Sequence, residues 1–309
     1  MLPCQRSSSV LQIILEHPSA SFIPGESIVG EVVLNNKNPT EFKSIRIRFY
    51  GRAKVEWSEI RQTGYRIPNT HHFTGEEVYF TEDLALIGNG ADTTSLPPGT
   101  WRYPFAYKLP HGIPSSFSHH VGTVSYMMQA IMKGSWCQSQ TNAIKEFKVD
   151  GRLNLSMDKI ENLRKPLEIE KEKIIYDMFC RPGKIMVGIK LDRSGFVSGD
   201  YINFQVYQKN HLKQNLNPLK IRLLQVIEFK GTDGTRKESN TIVKVEGPKL
   251  LGNGEKKWEM TNKMKIPESI PYSGLGGCKI IDVQYILEIK LELFMEAFRQ
   301  IIPLMIGYQ

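Results

Sequence analysis

Cysteine is scarce in this 309-residue chain: Cys4, Cys137, Cys180 and Cys278 lie far apart and form no C-x-x-C pair. That spacing excludes a zinc ribbon and a dense disulfide framework, and it fits a reducing compartment. Long apolar runs are missing as well. No stretch approaches the ~20 residues that a transmembrane helix requires, and the run Val10–Leu15 is short and broken by Gln12, unlike a secretory signal. Catalytic signatures are absent too. There is no G-x-S-x-G elbow, no H-E-x-x-H, no phosphate-binding Gly-Lys-Ser/Thr loop and no dinucleotide fingerprint. The pairs His71-His72 and His119-His120 are the only metal-like clusters. Neighbours on a strand point to opposite faces, so neither pair is expected to chelate unaided. These absences lead to an expectation of no metal, no cofactor and no catalytic residue.

What is present is a repeat. Phe22-Ile23-Pro24-Gly25-Glu26-Ser27-Ile28-Val29 is echoed 174 residues later by Phe196-Val197-Ser198-Gly199-Asp200-Tyr201-Ile202-Asn203. Each copy reads as an aromatic residue, a glycine turn, an acid and an apolar run. A second pair follows in the same order: Leu109-Pro110-His111-Gly112-Ile113-Pro114 before Tyr126, and Ile266-Pro267-Glu268-Ser269-Ile270-Pro271 before Tyr285. Solenoid and propeller units repeat at roughly 20–50 residues, so a period this long means a duplicated domain.

Period-2 alternation dominates both copies. Ile45, Ile47, Phe49, Ala53, Val55 and Trp57 alternate with Arg46, Arg48, Arg52 and Lys54, the pattern of a half-buried strand with a cationic stripe on its other face. Ile221, Leu223, Ile227 and Phe229 alternate with Lys220, Arg222 and Glu228, and Tyr285 to Leu293 alternates with Glu288, Lys290 and Glu292. Turn signals at Asn35–Pro39, Gly88-Asn89-Gly90, Pro97-Pro98-Gly99 and Asp233-Gly234 separate the runs. The pattern predicts an all-β chain of two tandem immunoglobulin-like β-sandwiches. We divide it into 1–155, a linker 156–172 and 173–309, with one short helix over Met157–Lys165 halted by Pro166.

Charge is divided unequally between the copies. Residues 1–150 hold 14 basic and 13 acidic side chains, whereas residues 151–309 hold 26 and 19. The excess includes Lys230, Arg236, Lys237, Lys256 and Lys257, which are candidates for contact with acidic lipid headgroups. Arg46, Arg48, Arg52 and Lys54 are candidates for binding an acidic or phosphorylated peptide. Solvated strand faces and lysine-rich loops account for either set equally well. No recognition helix or ribonucleoprotein signature accompanies the charge, so nucleic acid is not an expected partner.

Several of these residues carry a family resemblance. Pro24 to Val32 followed by Ile45 to Ala53 resembles the opening of the arrestin N-terminal domain in its α-arrestin form. Leu96-Pro97-Pro98-Gly99, Tyr103-Pro104-Phe105, Leu109 to Phe117 and Gly122 to Tyr126 are similar to later strands of that domain. Leu153-Asn154, Leu163, Pro166 and Cys180 resemble its inter-domain segment. Gly195 to Asp200 and Ile301 to Gly307 resemble the two ends of the C-terminal domain. The resemblance implies arrestin-like N- and C-terminal sandwiches. It implies a cytoplasmic adaptor, recruited to the plasma membrane or endosomes, that binds cytoplasmic tails of receptors or transporters and promotes their endocytic sorting and down-regulation. The alternative is an arrestin-like subunit of a stable trafficking coat such as retromer. Family members recruit ubiquitin ligases through Pro-Pro-x-Tyr tails. Here Pro97-Pro98-Gly99-Thr100 lacks the tyrosine, so ligase recruitment would be indirect. The resemblance also implies an inter-domain polar contact at Glu26 and anion contacts at Lys145 and Lys148, on the strand that carries the phosphate-sensing arginine of visual and β-arrestins.

Overall fold

The structure is a computed structural model describing residues 9–61, 69–134, 140–151, 155–176, 181–293 and 297–307. Cys4, Cys137, Cys180, Leu153 and Asn154 lie outside the described residues. Strands run in chain order as β1 (Val10–Leu15), β2 (Ser21–Phe22), β3 (Ser27–Asn36), β4 (Thr40–Arg61), β5 (Asn69–Ile87), β6 (Thr94–Leu96), β7 (Gly99–Lys108), β8 (Phe117–Ser118), β9 (Gly122–Gly134) and β10 (Thr141–Val149). After the helix α1 (Met157–Arg164) come β11 (Leu167–Tyr176), β12 (Pro182–Leu191), β13 (Gly195–Phe196), β14 (Phe204–Asn210) and β15 (Lys220–Gly231). The last four are β16 (Gly234–Glu246), β17 (Glu255–Met260), β18 (Ile281–Glu292) and β19 (Ala297–Ile306).

The strands form four sheets, two for each copy of the repeat. In the first copy, β1-β3-β7 accompanies β2-β10-β9-β4-β5, with β6 joined to β4 and β8 joined to β9. In the second, β11-β12-β14-β17 accompanies β13-β19-β18-β15-β16. The fold is therefore all-β, two sandwiches in tandem. The larger sheets match strand for strand, but β11 is an additional edge strand with no counterpart among the described residues of the first copy. It begins at Leu167, so the last six residues of the expected linker are strand. Two compact units result. One is Met1–Gly151 with Phe229–Thr235 and Leu275–Ile281; the other is Arg152–Glu228, Arg236–Gly274 and Asp282–Gln309.

The duplicated phrases are duplicated hydrogen-bond sets. Pro24 and Gly25 occupy the centre of a turn closed by Glu26 N–H donating to Ile23 O at 3.0 Å, and Gly25 sits at φ +86°. Asp200 N–H donates to Val197 O at 3.2 Å over Gly199 at φ +88°. A positive φ at the third turn position favours glycine, which has no Cβ to clash. A Cβ at Gly25 would also meet the His111 ring at 2.2 Å. Gly25→Ala is therefore expected to cost about 1–2 kcal/mol from the backbone alone. Chemical denaturation of G25A against G25A/H111A separates that term from the clash, and stability unchanged in both would refute it.

The second pair of phrases forms matching corners. Tyr126 donates to Pro114 O at 2.6 Å, and Tyr285 donates to Pro271 O at 2.7 Å. Both rings are buried in their own sandwich core, Tyr126 beside Phe80 and Phe147, Tyr285 beneath Gln225. Serines repeat as well: Ser116 Oγ accepts from Val149 N–H at 2.9 Å, and Ser273 Oγ accepts from Ile306 N–H at 2.8 Å. The helix α1 buries no side chain and has no side-chain N-cap bond. Leu163 O accepts from Ser194 N–H at 2.9 Å and ties it to β13.

Candidate functional site

The cationic stripe exists, but it is not bare. Antiparallel pairing of β4 with β5 sets Arg48 opposite Asp83, and the Arg48 guanidinium grips that carboxylate with two bonds of 2.8 Å. Asp83 is held below the usual carboxylate range, first by the hydrogen bond from Arg48. Arg52 reaches Glu76 at 2.9 Å, and Lys54 reaches Glu56 at 2.7 Å. Acids on the same sheet offset most of the row expected to face an anion, as like-charged rows require. Alternation along one strand shows the cations, and Glu56 lies two residues from Lys54 on the same strand, but Asp83 and Glu76 come from the pairing with β5, which a single-strand pattern does not display.

Arg46 is the exception within the stripe. Its Nη1 lies 3.5 Å from Asp83 Oδ2, beyond a good hydrogen bond, because Arg48 already engages both oxygens. Arg46 lines an open pocket of about 640 Å³ together with Lys133, Ser44, Gln140 and the turn Gly88–Ala91. Lys133, on β9, has no ion-pair partner among the described residues, so the lining holds two cations, Arg46 and Lys133, and one carboxylate, Asp83, whose two oxygens Arg48 already engages. Lys133 was not picked out from the sequence; its lone position at the end of an apolar strand gave no signal. The β10 lysines separate. Lys145 donates to Ile13 O at 3.3 Å, whereas Lys148 is exposed and lines a second open pocket of about 780 Å³ with Arg52 and Ser125.

Glu26 is engaged within its own turn, accepting from Ile23 N–H at 2.8 Å. Asp200 does the same for Val197 N–H at 3.0 Å and also accepts from Arg193. The acid of the repeated phrase is thus a turn cap in both copies. The histidines need a correction as well. His71 and His72 lie on β5 as expected, with His72 hydrogen-bonded to Ser58. His119 and His120 instead occupy the β8–β9 turn, where their ring centroids are only 4.3 Å apart. A turn frees adjacent side chains from the opposite-face rule of a strand.

The candidate lipid-contact residues are spread over three strands. Arg236 and Lys237 lie on β16, paired with Glu238 and Glu228 at 2.7 Å each. Lys230 is the penultimate residue of β15 and clusters with the first unit. Lys256 and Lys257 belong to β17, an edge of the other sheet, and are exposed.

A feature missed from the sequence is Glu288. Alternation along β18 assigned it to solvent, yet only 2% of its side chain is exposed. Arg222 donates to its Oε2 from β15, and Arg299 donates to its Oε1 at 2.6 Å from β19. Burial pushes the carboxyl upward, but the bonds from the two arginines outweigh it and hold Glu288 below its ordinary pKa.

Two tandem all-β sandwiches, one for each copy of the repeat, define the class of protein. The chain belongs to the arrestin family: residues 11–156 match Arrestin (or S-antigen), N-terminal domain, and residues 181–308 match Arrestin (or S-antigen), C-terminal domain. It is 25% identical over 296 residues to arrestin domain-containing protein 17 of Caenorhabditis elegans, covering 91% of this chain and 67% of that protein. It is 25% identical over 283 residues to human arrestin domain-containing protein 1, covering 92% and 61%. With mouse thioredoxin-interacting protein the figures are 24% over 300 residues, 96% and 72%. The chain thus spans about three fifths to seven tenths of the length of these α-arrestin relatives. Arrestins are generally non-enzymatic adaptors. No helix among the described residues is long and apolar enough to cross a membrane.

Proposed function

We propose that this chain is a non-enzymatic adaptor that binds acidic cytoplasmic tails of membrane receptors or transporters and promotes their endocytic sorting. The observation that carries the reading is the cation excess at the Arg46 pocket, on a chain whose two halves both match arrestin domains. A carboxylate or phosphorylated side chain entering there meets Arg46 and Lys133 together, and charge-assisted hydrogen bonds to such groups are about twice as strong as neutral ones. The remaining stripe cations, already paired, would steer an acidic tail more than bind it. We place the chain in the cytoplasm, with recruitment to plasma membrane or endosomal surfaces through its cargo and through the exposed Lys256 and Lys257.

The test is fluorescence polarisation of labelled acidic tail peptides against the full chain and its R46Q/K133Q variant. Both side chains are exposed or half-buried, so the fold should persist. Affinity is expected to fall at least tenfold in the variant, and to fall with added salt in the wild type. Equal affinities would remove the pocket from the reading; no binding of any acidic tail at low salt would remove the reading itself.

A further inference from the structure

Glycine inside a strand loses conformational entropy and packs no side chain, so its presence there calls for a bulge, a close neighbour or an approaching ligand. Close neighbours explain several here. A Cβ at Gly30 would meet Ile14 O at 2.4 Å, one at Gly51 would meet the Tyr126 ring at 2.6 Å, and one at Gly183 would meet Leu212 at 2.1 Å. Gly188, in the middle of β12, is different. Its nearest atoms to a Cβ would be Tyr207 Cβ at 3.8 Å and Glu170 Cγ at 3.9 Å, which is ordinary contact. Its φ is not positive, and its register with β11 and β14 runs without a shift. Neither packing, strain nor a bulge accounts for the missing side chain. What its absence does create is an open trough of about 250 Å³ on the outer face of the sheet.

The charges around this trough are incomplete in one place. The additional strand β11 points Glu168, Glu170 and Glu172 outward. Glu172 is met by Lys184 of β12 at 2.5 Å, and Glu168 by Lys190 of β12 at 3.8 Å. Between them Glu170 lies opposite Gly188 and has no ion-pair partner among the described residues. The glutamate row has a cation on either side and none at its centre, where glycine leaves the space open. Beyond Gly188 in the same cross-strand row stands Tyr207, whose hydroxyl donates to Glu255 at 3.1 Å and so fixes the ring. The backbones of Glu170 and Tyr207 are two strand spacings apart, roughly 10 Å, and their side chains flank the gap, Tyr207 Cβ and Glu170 Cγ each just under 4 Å from where a Gly188 Cβ would sit. Lys257 is the next residue in the row and faces the trough from the far side of the Tyr207 ring.

We propose that the trough over Gly188 is a docking site for an arginine side chain of a partner protein, with its guanidinium on the Glu170 carboxylate and its planar face against Tyr207. The occupant supplies the cation that the Glu–Lys row lacks, and glycine supplies its room. Arginine suits the place better than lysine, because a planar fork can bond a carboxylate in two places while stacking on a ring. The site is independent of the Arg46 pocket, lies in the other compact unit and has the opposite charge preference.

The test is titration of the isotopically labelled full chain with tri-arginine, tri-lysine and tri-glutamate peptides at constant ionic strength, following the Gly188 amide by NMR. Tri-arginine is expected to give a saturable shift at Gly188 and its neighbours, tri-lysine to bind at least fivefold more weakly, and tri-glutamate not to bind. E170Q is expected to weaken tri-arginine binding about tenfold. G188V fills the trough and should abolish the shift of neighbouring amides while leaving the thermal midpoint equal to or above that of the wild type. Equal binding of tri-lysine, unaltered affinity in G188V or E170Q, or no shift at Gly188 would each overturn the proposal. A marked fall in the G188V midpoint would show that glycine is required by the fold, and would overturn it as well.

Discussion

Truncating Tyr126 or Tyr285 to alanine should cost about 3–5 kcal/mol, the range for removing a large buried aromatic side chain. Each ring is almost completely buried, and each anchors the Pro-bearing loop that precedes its strand. The phenylalanine variants separate packing from hydrogen bonding. Tyr126→Phe keeps the ring against Phe80 and Phe147 and leaves only Pro114 O without its donor; about 1–1.5 kcal/mol is expected. Tyr285→Phe also strands the buried Gln225 amide, which donates to the Tyr285 hydroxyl at 2.8 Å. Two polar groups are then left unmatched, and about 2–3 kcal/mol is expected. Urea unfolding, with hydrogen exchange resolved by segment, should show the first loss in residues 9–151 and the second mainly in residues 155–307. Equal costs for the two phenylalanine variants would show that Gln225 finds another partner.

The second large effect is expected at Glu288. Glu288→Ala removes a buried carboxylate that accepts from two arginines, leaving like charges from β15 and β19 facing each other. Losing one partner of a fully buried pair costs about 3–5 kcal/mol. Here the side chains of Arg222 and Arg299 remain 31% and 55% exposed and can rehydrate, so about 2–3 kcal/mol is expected. The pH dependence has a definite sign. The folded state depresses the Glu288 pKa, so its contribution is complete above the ordinary carboxylate range and is lost as pH falls through the folded value. The stability difference between wild type and Glu288→Ala should therefore be constant near neutrality and shrink on acidification below about pH 4. A difference that grows on acidification would reverse the assignment.

Much of the fold is legible in the chain because its signals are local. Pro24-Gly25-Glu26 encodes a turn through a fixed φ, a positive φ and a cap, and its echo at Ser198-Gly199-Asp200 repeats two of the three. Alternation along β4, β15 and β18 identified the core face correctly from Ile45 to Trp57 and from Tyr285 to Leu291. The pairing of charges was not legible, because it depends on which strands are neighbours and in what register. Asp83 and Glu76 lie 35 and 24 residues from Arg48 and Arg52, and no property of either segment announces the match. Glu288 shows the same limit from the other side: its alternation slot is polar, and only the closing of Arg222 and Arg299 over it makes that slot buried.

By itself the sequence determined that this protein is two copies of one β-sandwich, since turn chemistry and side-chain alternation act over a few residues and survive duplication. Tertiary structure alone decided which charges are free. Strand pairing gave Arg48 and Arg52 of the β4 stripe their carboxylates and left Arg46 beside Lys133. It also set Glu170 opposite a glycine, on an edge strand that has no counterpart among the described residues of the first copy. Pairing of charges on different strands is a property of proximity across the sheet, and that proximity is written in no single segment of the chain.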